Sequence, residues 1–268
     1  MNPIEFHYKV YNYFKDKGWK VQLSPYYIDN YTQKPREVDI IAEKFYKIEP
    51  PISANLIYKR ENLSDQQKYV GTFNVRLYIE CKLKKLEEYI LFFEKPTNNK
   101  FSVLLQGRNI FFYEEELTSV NIHYFNKDVL KLFNITDRNN RNNKDYLFNA
   151  INQSLHSMIY FNTLFKKEGP IISLFSPEEI NYLQILGIAS FPVIILEDIK
   201  TKDINNKPVE DNFVAEVNYA YYDEINRNFK NKIFHIDVLS FNDIEQFLKN
   251  LESSIEKIIE KIFPYMEF

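Results

Sequence analysis

Between Asn74 and Lys82 polar and apolar residues alternate. Val75, Leu77, Ile79 and Cys81 fall on one side, and Tyr78, Glu80 and Lys82 on the other. A period of two predicts a strand with one face turned to a core. The opposite extreme lies near the C-terminus. Ile244, Phe247, Leu248, Leu251, Ile255, Ile258, Ile259 and Ile262 recur at helical spacing, so a helix is predicted from about Phe241 to Ile262, capped by Ser240 or Asn242. Its stripe must pack on the domain or on a second copy. Ile4, Val10, Tyr11 and Phe14 predict a helix over 4–17 that stops at Gly18.

The remaining pattern fills in the order. Trp19 to Ile28 reads as a strand, with Pro25 marking an irregularity or an edge. Asp29 to Pro35 reads as a turn, and Arg36 to Ala42 as a second strand. A short helix is expected over Ser64 to Tyr69. A strand pair is expected at Ser102 to Leu105 and Ile110 to Tyr113, joined by a turn at Gly107. A long helix is predicted from Asp145 to Lys167, then strands at Phe191 to Glu197 and Lys232 to Leu239. Helix, three strands, helix, strand, and a terminal strand and helix together imply an α/β domain with helices over a central sheet. We read all 268 residues as one elaborated domain, with insertions at about 44–72 and 83–144.

Composition narrows the setting. Apolar residues make up 45% and charged residues 26%, enough for a real core and ordinary for a soluble globular protein. Cys81 is the sole cysteine, which excludes a disulfide framework and a cysteine-based zinc site and points to a reducing cytoplasm. The opening stretch MNPIEFHYKVYNYF has no signal-peptide core, and no apolar run nears the roughly 20 residues that span a bilayer. With five glycines there is neither a P-loop nor a dinucleotide fingerprint. A net charge of −3 argues against holding nucleic acid by bulk charge alone but allows a local basic groove. The four histidines show no metal-motif spacing, although Gln153 and His156 share a face of the long helix.

The chemistry sits in the second and third strands. Asp39 lies in REVDIIA, and Glu80 and Lys82 lie in RLYIECK. Glu80 and Lys82 must share a face, and adjacent strands bring Asp39 beside Glu80. Phosphodiester hydrolysis needs a hard cation on the scissile phosphate, and Mg²⁺ or Mn²⁺ is satisfied by a few carboxylates and its own waters. A neighbouring lysine orients the water and stabilises charge building in the transition state.

The stretch from Gly18 to Lys82, G-W-x-V … Y-x-D … R-E-V-D-I-I-A … I-E-C-K, resembles the N-terminal half of the PD-(D/E)XK nuclease core. That resemblance implies a restriction-endonuclease-like core, a mixed central sheet flanked by helices, and a Mg²⁺-dependent DNA endonuclease of defence or restriction type. It implies Asp39, Glu80 and Lys82 as catalytic residues. It implies Asp39, Glu80, the Cys81 carbonyl and a first-helix carboxylate, Glu5, as metal ligands. DNA is the implied substrate, with a homodimer or protein partner open. The long helix departs from RecB-like members, because Ser157 stands where their Gln-x-x-x-Tyr signature has its tyrosine.

Plainer readings stand beside these. Glu80 and Lys82 could form an ordinary cross-strand ion pair on a solvated face. Glu5 could be a first-turn charge favoured by the helix dipole. Arg36 belongs to the rim, with phosphate contact as its functional reading. The runs Lys82-Leu-Lys-Lys85 and Arg138-Asn-Asn-Arg141 are solvated surface unless they meet a nucleic-acid backbone. The rival function is a catalytically inactive nuclease-fold scaffold acting through a partner.

Overall fold

A computed structural model describes residues 1–29, 32–48, 70–86, 90–95, 106–107, 128–131, 146–168, 183–203, 205–209, 212–223 and 227–262. The expected helix at Ser64 to Tyr69, most of the expected strand pair near Gly107, and the Arg138–Arg141 run lie outside them.

The first helix, α1 (Pro3–Asp16), starts on a complete capping box. The Glu5 N–H donates to Asn2 Oδ1 and the Asn2 N–H donates to Glu5 Oε2, both at 2.9 Å, with Pro3 opening the first turn. It ends at Gly18, whose φ of 81° takes the left-handed conformation that glycine adopts without a Cβ clash. The single strand expected over Trp19 to Ile28 is two: β1 (Lys20–Leu23) and β2 (Tyr26–Ile28). The break is Ser24, at φ 49°, followed by Pro25. The strand expected over Arg36 to Ala42 is also divided, into β3 (Pro35–Glu37), which hairpins onto β2, and β4 (Ile40–Ile48).

The third core strand, β5 (Val70–Leu86), is 17 residues long and takes in 70–72 and 83–86, which the sequence pattern assigns to the two insertions. Short pieces follow: β6 (Ile90–Leu91), β7 (Phe93–Glu94), β8 (Gln106–Gly107) and β9 (Val129–Lys131). Gly107, expected in a turn, sits in β8 against the next long strand. The long helix α2 (Tyr146–Glu168) precedes β10 (Leu183–Ile199), β11 (Thr201–Asp203) and β12 (Pro208–Val209). Then come β13 (Phe213–Asp223), not anticipated from the sequence, β14 (Asn228–Ser240) and α3 (Ile244–Ile262).

Among the described residues nine strands form one mixed sheet in the order β1-β4-β5-β10-β14-β13-β9-β7, with β8 on β10. The pairs β1–β4 and β4–β5 are antiparallel, β5–β10 and β10–β14 are parallel, and β14–β13 is antiparallel. Parallel neighbours need a crossover, and the segment carrying α2 connects β5 to β10. The sheet has two apolar faces. On one, Phe6, Val10 and Phe14 of α1 and the α3 stripe cover Val75, Leu77, Ile79 and Cys81. On the other, Leu147, Ile151, Leu155 and Met158 of α2 cover Ile41, Tyr78, Ile194 and Ile236.

The α3 stripe lies as expected from Ile244 to Ile259, buried on its own domain. Each such side chain contributes about 2 kcal/mol of burial. Its start differs slightly, because a 3-10 turn at Phe241–Asp243 precedes it. There the Ser240 hydroxyl bonds the Asp243 carboxylate at 2.5 Å in place of a backbone amide. Among the described residues no helix is long and apolar enough to cross a membrane.

Candidate active site

The β4–β5 ladder pairs Ile40 with Ile79, so one step beyond it Asp39 stands opposite Glu80. There β4 begins, while β5 runs on to Leu86 along β10. The overhanging edge of β5 has lost its strand partner, and a side chain takes that place. The Cys81 N–H donates to Asp39 Oδ2 at 2.8 Å, and the Asp39 N–H donates to Glu80 Oε1 at 3.3 Å. A backbone donor that would otherwise be orphaned is thereby satisfied by a carboxylate.

Lys82 completes the group. Its Nζ donates to Glu80 Oε2 at 2.8 Å and lies 3.6 Å from Asp39 Oδ2. Glu80 is fully buried, whereas Lys82 and Asp39 keep 24% and 18% of their side-chain surface, so the cluster meets solvent through these two. His7 of α1 approaches from outside the sheet, with Nε2 3.6 Å from Asp39 Oδ2. These closest contacts of the Asp39 carboxylate all fall on Oδ2, and Oδ1 takes no hydrogen bond among the described residues.

The charge count is unusual. Farther along the same two strands Glu43 faces Arg76, Nε to Oε1 at 2.7 Å, both buried and balanced one to one. At the strand end two carboxylates share one ammonium. Burial, and then the Asp39 charge, push the Glu80 carboxyl up to about 8, with Lys82 opposing them. Burial alone would lower the Lys82 ammonium, but Glu80 and Asp39 outweigh it and hold it above its ordinary value. Once Glu80 ionises, the cluster sets two carboxylate charges against one ammonium.

Asp39, Glu80 and Lys82 are thus brought together. Cys81 joins them through its backbone. Its thiol points into the apolar core, and burial raises it well above the ordinary range, so the sulfur is no ligand. Glu5 is not brought to the group. It is exposed, and its carboxylate is engaged in the α1 capping box. His7 is the neighbour that sequence reasoning missed. Two turns of chain geometry, a helix start and a strand start, bring it to Asp39, and no local spacing announces that.

Gln153 and His156 share a face of α2, as their spacing predicts, but they line a separate cavity with Asp29, Arg36 and Tyr27. Arg36 pairs with Asp29, Nε to Oδ2 at 3.2 Å. Among the described residues no group of three or more His, Cys, Asp or Glu side chains is arranged to hold a metal ion. Asp39 and Glu80 are a pair. A pair fits Mg²⁺, which keeps most of its waters and is commonly held by one or two carboxylates. Asp39 Oδ1, which takes no hydrogen bond among the described residues, and a second carboxylate beside a single ammonium are the features a cation would complete.

No protein-family model matches the chain, and no curated protein and no solved structure matches it.

Proposed function

We propose that this chain is a Mg²⁺-dependent DNA endonuclease of the PD-(D/E)XK type, hydrolysing phosphodiester bonds at Asp39, Glu80 and Lys82. The observation that carries the reading is the buried Glu80 carboxylate, set against Asp39 and a single ammonium where β5 outruns β4. A purely structural cluster gains nothing from a second buried carboxylate, because unpaired buried charge is destabilising. The order of the core supports the same reading. Helix α1 leads into β1, β4 and β5, successive antiparallel neighbours, and α2 then carries the chain across to a parallel β10.

In this reading Asp39 and Glu80 hold the cation, with the Cys81 carbonyl at the same strand edge. When bound, Mg²⁺ supplies a Lewis acid for the phosphate and a water of lowered pKa. The chain's own residues do the rest. The Cys81 amide fixes the Asp39 carboxylate, and His7 flanks it from α1. Lys82 spends one N–H on Glu80. Its two remaining donors can orient the attacking water and stabilise the phosphate oxygens as charge builds on them. The Glu80–Lys82 bond holds that ammonium to one place, which is the preorganisation such catalysis requires.

Incubating supercoiled plasmid with the protein and Mg²⁺ tests the function. Conversion to nicked and linear DNA that EDTA stops is the expected result. Plasmid unchanged with Mg²⁺ and with Mn²⁺, across neutral and mildly alkaline pH, would overturn it.

A further inference from the structure

Beside this site, on the α2 face of the sheet, lies a cavity of about 700 Å³. That volume is ordinary for a small-molecule site. Its walls have three kinds of chemistry. Rings of Phe148, Tyr221 and Tyr222 line it, Phe148 being half exposed. Asn149, Asn152 and Gln153 line it from α2. They stand at i, i+3 and i+4 and so share one helical face. Their side-chain amides make no hydrogen bond among the described residues, leaving donors and acceptors on the wall unspent. Arg36 supplies a cation, 44% exposed, that pairs through Nε with Asp29.

The wall is built to stay in place. His156 Nδ1 lies 2.8 Å from Asp29 Oδ2, and His156 Nε2 meets the Tyr219 hydroxyl. The Thr32 N–H donates to Asp29 Oδ1 at 2.7 Å. Burial raises the Asp29 carboxyl, yet the Thr32 amide and His156 outweigh it and hold the group at about 2. Asp29 is therefore ionised under all ordinary conditions. His156 Nδ1 then donates to it, and Nε2 takes up Tyr219. This chain ties the β2–β3 turn, α2 and β13 together, the three walls of the cavity.

Tyr27 connects the cavity to the cluster at Glu80. It lines the cavity, and its hydroxyl is buried with no hydrogen-bond partner among the described residues. That hydroxyl lies within the fields of both Glu80 and Asp29, which, after burial itself, raise it above its ordinary value.

We infer that this cavity binds a nucleobase together with its phosphate. The rings supply a stacking surface, the amides read the edge of the base, and Arg36 meets the phosphate. Aromatic faces stack on any base. Asn and Gln amides match the paired donors and acceptors of base edges. A guanidinium suits phosphate through its remaining N–H groups. The adjacency at Tyr27 makes the phosphodiester reading the source of the ligand, a nucleotide next to the scissile bond. The same chemistry is carried by a free nucleotide.

The test uses the whole protein in EDTA, so that no cleavage occurs, with two probes. One is a single-stranded 12-mer containing one 2-aminopurine, and the other is the set of four deoxynucleoside 5′-monophosphates. The variant is the double substitution Asn152→Asp, Gln153→Glu, nearly isosteric and on a partly exposed helix face, with thermal melting as the check on folding. Wild type is expected to quench 2-aminopurine saturably, and the folded variant to bind at least tenfold more weakly. Competition by a monophosphate identifies a free nucleotide as the source, and its absence identifies the polynucleotide. Should the double variant lose its fold, Tyr221→Ala takes its place with the same expectation. Absent quenching, or equal affinity in wild type and folded variants, overturns the inference. Plasmid cleavage is scored separately. Uncut plasmid with variant-sensitive quenching sinks the nuclease reading and leaves the cavity standing. Plasmid cut without quenching does the reverse.

Discussion

Replacing Glu80 by Gln keeps the shape of the side chain and removes its charge. In wild type the folded protein holds the Glu80 proton up to about pH 8, whereas an ordinary carboxyl releases it near 4.5. A raised folded pKa means that the folded state binds the proton more tightly than the unfolded one. The associated stability is fully present below pH 4.5 and is lost as pH rises through 8. At about 1.4 kcal/mol for each pH unit, the whole difference is about 5 kcal/mol, of which about 4 kcal/mol falls between pH 5 and 8. Lys82 remains charged across this range, and every other titrating group is common to both proteins. The difference between the two stability curves therefore isolates Glu80. Urea unfolding in EDTA at half-unit steps from pH 5 to 8.5 measures it. The variant should gain on wild type by up to about 1.4 kcal/mol per pH unit. Curves that run parallel would refute the claim that Glu80 is deeply buried beside the Asp39 charge. The same experiment bears on function, since a site that is destabilised when its carboxylate ionises is one that a cation would relieve.

Asp39→Asn removes the other charge. Its metal-free melting temperature should equal or exceed that of wild type, and the rise with Mg²⁺ or Mn²⁺ expected for wild type should vanish. A destabilised variant beside a metal-insensitive wild type would point to a structural pair instead. Leu251→Ala, in the buried stripe of α3, should cost about 3 kcal/mol by denaturant unfolding; a loss below 1 kcal/mol would mean that α3 is not packed as described. Gly18→Ala should cost about 1 kcal/mol through the left-handed backbone alone, because nothing lies within 4 Å of the added Cβ. An unchanged melting temperature would show that the α1 terminus does not need that conformation.

Much of the core was legible because its signals are local. The alternation of Val75, Leu77, Ile79 and Cys81 placed Glu80 and Lys82 on one face, and the structure keeps them there. The spacing of Ile244 to Ile259 marked α3 equally well. What stayed hidden depends on distant parts of the chain. Strand β13 has a buried start, Phe213 to Glu216, and a half-exposed remainder, so no single period runs its length. The irregularity at Pro25 was legible, but that it divides the strand in two rests on Ser24, a left-handed residue that is not glycine. The contacts of His7 with Asp39 and of His156 with Asp29 and Tyr219 join residues 32, 127 and 63 positions apart, and only the fold brings them together. Of the two readings offered for Glu5, the local one at the helix start is the one its contacts match. A carboxylate three residues after Asn2 is a helix-capping pattern, and the structure uses it as one.

The most direct test of the central claim pairs two readouts on Lys82→Ala. An ammonium has no lone pair to give a metal, so its removal should leave cation binding largely intact while abolishing hydrolysis. Mn²⁺ binding followed by electron paramagnetic resonance, and single-turnover cleavage of supercoiled plasmid, are measured on wild type and variant side by side. Similar Mn²⁺ affinity in both proteins and a cleavage rate at least a hundredfold lower in the variant are expected. A variant that cleaves as fast as wild type, or one that loses Mn²⁺ yet still cleaves at high metal concentration, would contradict the claim.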